Sequence, residues 1–385
     1  MEIRTLNKND YDELLTLLNK SFATVRNRPV DFLRGQPKMW VRDDAHMARH
    51  IGAFEDGHLV SVVGIYPLSL HVGDALLRVA TTGNVATHPE YMGRGYFSKL
   101  FSLAMERAEK EDYDLLRLGG QKQRYGRFGF EDCGSIYSIL FSEKNRAAFP
   151  DREYEDITFD PLERDALSDL RYARELNEKM LCFVERDPCE NERDTFLVLQ
   201  TKYSEAYIAK KNGIPCGYLC AAEGGKTVTE IRAENAKDFF VIAAALQKRA
   251  GCSITLPIAP WMKKELSIAA HTAEVITTLT PSKFKLLKPA RVIDAFMKLR
   301  HSLAPMQKGE LLFEIEGHGT LCLAVDDSGA RCEKTEEREA DLKLSAKTAA
   351  QMLFGPLPAP VFAALPPHVL SWLPLPLSWN FIDVV

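Results

Sequence analysis

The chain has 385 residues, a formal net charge of −4, 46% apolar residues and 26% charged residues. The length predicts two or three domains of about 150 residues each, and the composition is that of a globular protein with a large core. The small negative charge argues against a general nucleic-acid-binding protein, which needs a basic face. No apolar run reaches the about 18 residues of a membrane span, and the N-terminus has no apolar signal core, so we expect a cytoplasmic protein.

The first 150 residues alternate strands and helices. A short strand at the N-terminus precedes a helix that begins near Tyr11. Turns at Asp56-Gly57 and near Gly73 predict antiparallel strands over 51–87. Apolar residues at helical spacing follow Gly95, and a short buried strand leads to two further glycines. This order predicts an α+β domain.

The middle of the chain repeats that order more weakly. A hairpin turning at Asn212-Gly213 is followed by a strand, a helix that stops at Gly251 and another strand. We interpret this as an internal duplication whose second copy has lost its ligand site, because its strand-to-helix joint contains no glycine. The last hundred residues begin with an amphipathic helix, continue as alternating strands and end in a tail rich in proline and tryptophan, which we expect to be packed.

The strand-to-helix joint of the first copy has the composition of an anion-binding loop. In Met92-Gly93-Arg94-Gly95, the glycines permit positive φ and leave backbone N–H groups uncovered. The helix that follows adds unsatisfied N–H groups and the positive end of its dipole, and Arg94 adds a full charge. Together these features favour phosphate or pyrophosphate. An ordinary glycine turn is the alternative, and the glycine pair by itself does not decide between them.

The sequence gives no strong sign of a metal site. His46 and His50, at i and i+4, could pair on one helix face, but no third ligand is in sight. The eight cysteines include no CxxC pair, so we expect reduced thiols in a cytosolic chain.

The segment VATHPEYMGRGYF (85–97) together with YGRFGF (125–130) resembles the core of the GNAT N-acetyltransferase superfamily. Nearly the whole chain resembles the Eis-type acetyltransferases, which join a GNAT unit, a degenerate second GNAT-like unit and a sterol-carrier-protein-like domain. The resemblance implies a duplicated GNAT fold with a catalytic domain over 1–150, a second unit without a cofactor loop over 151–287, and a sterol-carrier-like α+β domain over 288–385 whose C-terminus reaches the active site. In the family's loop pattern, Gln/Arg-x-x-Gly-x-Gly/Ala, this chain departs at the first and last positions.

The resemblance also implies acetyl-CoA as the acetyl donor, no metal, and specific site residues. Tyr125 matches the general acid of the YGRFG motif, although its spacing alone would favour a core tyrosine beside Phe128 and Phe130. The α-carboxylate of Val385 matches the general base, but family members commonly end in an aromatic residue. The implied cofactor-binding residues are Val85, Ala86, Thr87, Gly93, Arg94, Gly95, Tyr96, Phe97, Ser98, Gly120 and Gln121.

Two functions follow from these features. Acetyl transfer to an amine needs a base for the amine proton, an N–H donor for the thioester oxygen and an acid for the leaving thiolate. The first function is an N-acetyltransferase that acts by direct attack of an aminoglycoside-, polyamine- or lysine-type amine, in a homo-oligomer that the family implies to be a hexamer. The alternative is a carrier of an apolar ligand with a relic GNAT unit. The intact loop and Tyr125 favour the enzyme, and Asp383 is either part of an acidic corner or a solvated tail residue.

Overall fold

The computed structural model describes residues 1–186, 193–280, 282–336 and 338–383. Its strands are β1 (Glu2–Thr5), β2 (His50–Glu55), β3 (His58–Val72), β4 (Ala75–Thr87), β5 (Leu115–Leu118), β6 (Glu131–Asp132), β7 (Ile136–Phe141), β8 (Ile157–Pro161), β9 (Cys182–Val184), β10 (Glu205–Lys211), β11 (Ile214–Ala222), β12 (Thr227–Ala233), β13 (Ile254–Ile258), β14 (Ile276–Leu279), β15 (Lys283–Leu286), β16 (Gly309–Ile315), β17 (Gly319–Asp326), β18 (Gly329–Thr335) and β19 (Leu342–Leu344). Its α-helices are α1 (Tyr11–Arg26), α2 (Phe32–Gly35), α3 (Asp44–Met47), α4 (Tyr96–Lys110), α5 (Lys122–Tyr125), α6 (Glu143–Arg146), α7 (Asp151–Tyr154), α8 (Leu167–Glu178), α9 (Arg193–Leu199), α10 (Ala236–Ala250), α11 (Lys263–Thr272), α12 (Pro289–Leu303), α13 (Ala346–Phe354) and α14 (Pro367–Leu370).

The first sheet has the order β1-β2-β3-β4-β5-β15-β6, with β9 added to β3. Its neighbours are antiparallel except β4 and β5, which run parallel and are joined through α4. Side chains alternate between the two faces of a strand, so Val62 packs with α1 on one face and Val63 packs with α4 on the other. The apolar stripe predicted after Gly95 is the buried face of α4, where Leu100 and Phe101 are fully enclosed.

The second sheet has the order β14-β7-β13-β12-β11-β10-β8. From β8 to β12 the neighbouring strands are antiparallel, as at the start of the first sheet. β12 and β13 then run parallel and are joined through α10, and β7 and β14 complete the sheet with antiparallel pairings. The order and directions are therefore those of the first sheet. This likeness supports the interpretation as a duplication, which stays a prediction.

The two sheets exchange strands. β7 belongs to the first 150 residues but lies in the second sheet between β13 and β14, whereas β15 comes from the middle of the chain and lies in the first sheet between β5 and β6. The predicted boundaries at 150 and 287 therefore follow the chain and do not separate the sheets.

The last part of the chain forms a sheet of order β18-β17-β16-β19 that packs against α12. The proline-rich tail that follows α13 is packed, as expected, because Trp372, Leu377 and Trp379 are buried. Its likeness to a sterol-carrier domain stays a prediction. Among the described residues, no helix combines the length and apolar character that crossing a bilayer would need.

Each parallel pair of strands separates along its length. β4 pairs with β5 only over Val79–Thr82, and β12 pairs with β13 only at Thr227. In the second sheet the tail occupies this region, since the Asn380 amide donates a hydrogen bond to Glu230 of β12. Tail side chains together with Pro257 of β13 leave a cavity of only about 40 Å³ there. In the first sheet the separation leads into two larger cavities.

Candidate active site

A bulge in β4 lies where this strand leaves β5. Between the pairs Gly64–Gly83 and Val62–Ala86, β4 has one residue more than β3, and Asn84 takes a left-handed φ of 51°. Such a bulge redirects the residues that follow it, here the end of β4.

A buried hydrogen-bond network holds the bulge in place. The Asn84 amide donates to the Tyr66 hydroxyl (2.5 Å), which donates to Nε2 of His50 (2.6 Å). Nδ1 of His50 in turn donates to the Met47 carbonyl (3.2 Å), so Nε2 is the unprotonated nitrogen. Burial lowers the pKa of His50 to about 3 and keeps the ring neutral. The possible pairing of His46 and His50 on one helix face is wrong, because His46 lies in α3 and His50 begins β2.

A cavity of about 430 Å³, the donor cavity, lies between the end of β4, α1 and the start of α4. It contains most of the predicted cofactor residues: Val85, Ala86 and Thr87 from β4, and Gly93, Gly95, Tyr96, Phe97 and Ser98 from the loop and helix. The remaining lining residues are Ser21, Phe22, Val25, Tyr91, Met92 and Arg124.

The loop glycines have the conformation that an anion cradle requires. Gly93 and Gly95 have φ values of 79° and 83°, and a Cβ atom on either would meet no atom of the described residues within 4 Å. Gly95 is the N-cap of α4, and no described side chain caps that helix. The N–H groups of its first turn therefore stay available to a ligand.

The basic side chain expected at this loop, Arg94, points away from the donor cavity, and another arginine lies near the start of α4. Arg94 donates to the Glu90 carbonyl (3.2 Å) and lies over the Tyr91 ring, so it is not part of the lining of the donor cavity. Arg127 instead donates to the Ser98 hydroxyl (2.8 Å) in the first turn of α4. Sequence reasoning missed Arg127, although it lies within the YGRFG motif that pointed to Tyr125.

A second cavity of about 480 Å³, the inner cavity, continues from the donor cavity. Both are lined by Phe22, Val25, Val85 and Arg124. The inner cavity adds residues of the separated strands and, from far along the chain, the segment 202–203. Its other lining residues are Arg26, Val30, Asp31, Phe32, Gly35, Gln36, Thr82, Gly83, Asn84, Gly119, Gly120, Gln121, Tyr125, Lys202 and Tyr203.

Tyr125 is both a core residue and a lining residue of the inner cavity. Its ring packs against Phe97 and Phe101, with centroid distances of 5.9 and 5.3 Å. A Cβ atom on Gly120 would lie 2.6 Å from this ring, so only glycine fits beside it. Burial raises the pKa of Tyr125, which Arg124 partly opposes, so the phenol is protonated at neutral pH and could donate a proton.

The chain end contacts the segment 201–203, which contributes Lys202 and Tyr203 to the inner cavity. Val385, the expected base, lies outside the described residues. Asp383 is buried, so the interpretation as a solvated tail residue is wrong; its carboxylate lies 3.7 Å from Arg186. Burial raises the pKa of Asp383, an effect that Arg186 and Lys38 oppose. Lys38 also donates to the Ile382 carbonyl (2.5 Å), which ties the tail to the first unit of the chain.

Comparison with protein families identifies the first unit. Residues 2–133 match the model of the acetyltransferase (GNAT) domain family. The N-terminal third of this chain is a GNAT acetyltransferase domain. The expectation that the chain is an acetyltransferase is confirmed by this match, and the donor cavity lies within the GNAT domain.

Solved structures resemble the chain over nearly its whole length. They include a GCN5-related N-acetyltransferase from Kribbella flavida, with 18% identity over 97% of this chain and 96% of that chain (TM-score 0.66). Eis1 from Mycobacterium abscessus has 15% identity over 99% and 98% (TM-score 0.65), and a probable N-acyltransferase from Enterococcus faecalis has 17% over 91% and 88% (TM-score 0.62). At these identities the likeness concerns the fold. Comparison with curated proteins finds no match.

Besides Arg94, two predicted cofactor residues lie outside the donor cavity. Gly120 and Gln121 line the inner cavity, beyond the strand separation, and not the donor cavity of the GNAT domain. Sequence reasoning missed Asn84 and Lys202. Asparagine is enriched at left-handed φ, so Asn84 could have signalled the bulge. Nothing local marks Lys202 as a neighbour of a site built by residues between 22 and 125.

Proposed function

We propose that this chain is an acetyl-CoA-dependent N-acetyltransferase that transfers acetyl to a primary amine by direct attack. The observation that carries this proposal is the junction of the two cavities at the separated end of β4. The donor cavity there offers exposed backbone from a strand end and a glycine cradle, and Tyr125 lies just beyond it.

The chain's own groups fit the acetyl donor. The backbone of 85–87 would bind the pantetheine arm as an added strand, because β4 has no strand partner on its β5 side there. The Gly93 and Gly95 cradle and the first turn of α4 would bind the pyrophosphate, and Arg127 would add a positive charge at that turn. The acetyl end would then enter the inner cavity between the bulge and Gly120.

Catalysis would use two proton-carrying groups. As the amine nitrogen bonds to the acetyl carbon and the carbon–sulfur bond breaks, a base takes the amine proton and Tyr125 gives its proton to the leaving sulfur. A backbone N–H group at the β4 bulge would stabilise the negative thioester oxygen. The proposed base is the α-carboxylate of Val385, which is ionised at neutral pH without activation. Asp383, two residues before it, lies in the segment that contacts 201–203 at the inner cavity, which supports this assignment.

A carrier with a relic GNAT unit is the weaker proposal. The tail side chains that would suit an apolar pocket, Trp372 and Leu377, are instead enclosed in the core. A homo-oligomer, the hexamer implied by the resemblance, and a cytoplasmic location stay predictions.

Thermal unfolding with and without ligands would test the proposal. Acetyl-CoA at saturation should raise the midpoint of the intact chain, because it binds the native state. The same protein should release thiol from acetyl-CoA when a panel of primary amines is added. A midpoint that rises with a fatty acid and not with acetyl-CoA would favour the carrier instead.

A further inference from the structure

The charges around the inner cavity are mostly positive. Among the described residues that line it, Arg26, Arg124 and Lys202 are cations and Asp31 is the one acid. The Asp31 carboxylate already accepts the Arg34 backbone N–H group (3.1 Å) as the N-cap of α2. A polycationic acceptor would therefore enter a site whose net charge repels it.

Lys202 reaches this cavity through an unusual backbone. Lys202 and Tyr203 have φ values of 68° and 58°, a left-handed conformation that lysine and tyrosine adopt only where the surrounding structure imposes it. The Tyr203 hydroxyl donates to the Asp31 carbonyl (3.1 Å), and its ring lies so close to Gly35 that a Cβ atom there would approach within 3.0 Å. These contacts fix the segment 202–203 against α2 and hold Lys202 at the cavity.

A second, buried cation lies behind Lys202. Arg117 of β5 is almost fully buried and donates through Nε to the Ser282 hydroxyl (2.9 Å), but its Nη1 has no hydrogen-bond partner within the part of the chain that the structure describes. Its Nη2 lies 3.9 Å from where Gly119, a lining residue, would carry a Cβ atom. The pKa of Lys202 is lowered to about 8 by desolvation and by the positive charges of Arg117 and Arg26. Asp383 partly offsets the charge of Arg117, and a bound anion would offset the repulsion that remains at Lys202.

We propose that the acceptor amine carries a negatively charged group, a carboxylate in the simplest case, which Lys202 binds with Arg26 at the inner cavity. This inference rests on the proposed acetyltransferase function and names its substrate class. Of the acceptors considered above, it favours a lysine-type amine that carries its own carboxylate, as free lysine does, over the aminoglycoside and polyamine types. Lys202 is then a specificity-determining residue supplied to the GNAT domain by the middle of the chain.

Matched amines test the proposal directly. Thiol release from acetyl-CoA would be compared for lysine against cadaverine and for phenylalanine against phenethylamine, because the members of each pair differ only in the carboxylate. A charge-assisted hydrogen bond changes affinity by about ten- to a hundredfold, so at least one carboxylate-bearing amine should have a kcat/KM higher by that factor than its partner.

Variants at Lys202 assign the effect to this residue. Lys202→Gln should remove most of the preference by slowing only the carboxylate-bearing amine, Lys202→Glu should reverse the preference, and Lys202→Arg should keep it. All three variants carry the same backbone strain, so a loss of stability common to them does not affect the comparison.

Three results would overturn the inference. A preference for the decarboxylated amines, with normal thiol release, would overturn it and leave the acetyltransferase intact. An equal loss with both members of a pair in Lys202→Gln would show that Lys202 serves the chain itself, for example by binding the C-terminal carboxylate. Absence of thiol release with every amine, in protein that is folded by thermal unfolding, would overturn the acetyltransferase and the inference with it.

Discussion

Tyr125 shows how one side chain can serve packing and chemistry together. Its ring belongs to the aromatic cluster of α4, yet the residue also lines the inner cavity. We predict that Tyr125→Phe keeps the acetyl-CoA-induced rise of the unfolding midpoint and lowers kcat by about 10²-fold or more, the usual scale for a positioned acid. Tyr154→Phe is the matched control, since Tyr154 is buried outside both cavities with its hydroxyl on Asp151. Full turnover by Tyr125→Phe would leave this residue a core tyrosine only.

Substitutions at two glycines distinguish the effect of backbone strain from the loss of a ligand contact. Gly95 and Gly57 have φ values of 83° and 82°, and a Cβ atom on either meets nothing within 4 Å among the described residues. Gly95→Ala and Gly57→Ala should therefore lower the unfolding midpoint by similar amounts. We predict that only Gly95→Ala raises the KM for acetyl-CoA, by roughly tenfold, because its methyl group would hold the phosphates away from the backbone N–H groups. Equal KM values in the two variants would contradict the anion cradle. Gly95→Val would be a poorer test, since a β-branched residue tolerates positive φ badly.

At the scale of elements, the two parallel strand pairs separate in the same way but are filled differently. The tail occupies the separation of β12 and β13, where Asn380 and the buried pair Arg186–Glu230 (2.7 Å) hold it. The corresponding separation of β4 and β5 opens into the donor and inner cavities. The separation in the second sheet thus holds the chain end, whereas the separation in the first sheet leaves a cavity of a size that a ligand could enter.

The next prediction concerns the C-terminus, which is proposed to supply the catalytic base. Deleting Val384 and Val385, or adding a C-terminal tag, should abolish acetyl transfer while acetyl-CoA still raises the unfolding midpoint, because the donor cavity is built without the tail. An N-terminal tag of the same length is the control and should leave turnover unchanged. If the C-terminally tagged chain turned over at the untagged rate, the base would have to be sought elsewhere, first at Asp383 and Glu90.

At the scale of the whole molecule, the exchange of β7 and β15 makes the units depend on each other. A fragment of residues 1–150 would lack β15, which pairs with both β5 and β6, and its own β7 would have no partners. Unpaired strand edges and the apolar surface they carry favour aggregation. We predict that this fragment shows no cooperative thermal unfolding, whereas the intact chain, which keeps both exchanged strands, unfolds cooperatively. A cooperatively folded 1–150 fragment that binds acetyl-CoA would contradict the prediction.

The sequence by itself determined the local parts of this site. The positive φ of Gly93 and Gly95, the helix that starts after them and its buried stripe follow from the residues at those positions, because glycine conformation and apolar spacing act within a few residues. The YGRFG motif pointed to Tyr125, which lines the inner cavity, and its role as the acid stays a prediction.

Only the tertiary structure decided which distant residues meet. It exchanged β7 with β15, turned Arg94 towards the Glu90 carbonyl, buried Asp383 and brought Lys202 to a cavity built by the GNAT domain. The physical reason is that strand pairing and charge clustering depend on contacts between segments far apart in the chain, whose energies no short window of sequence contains.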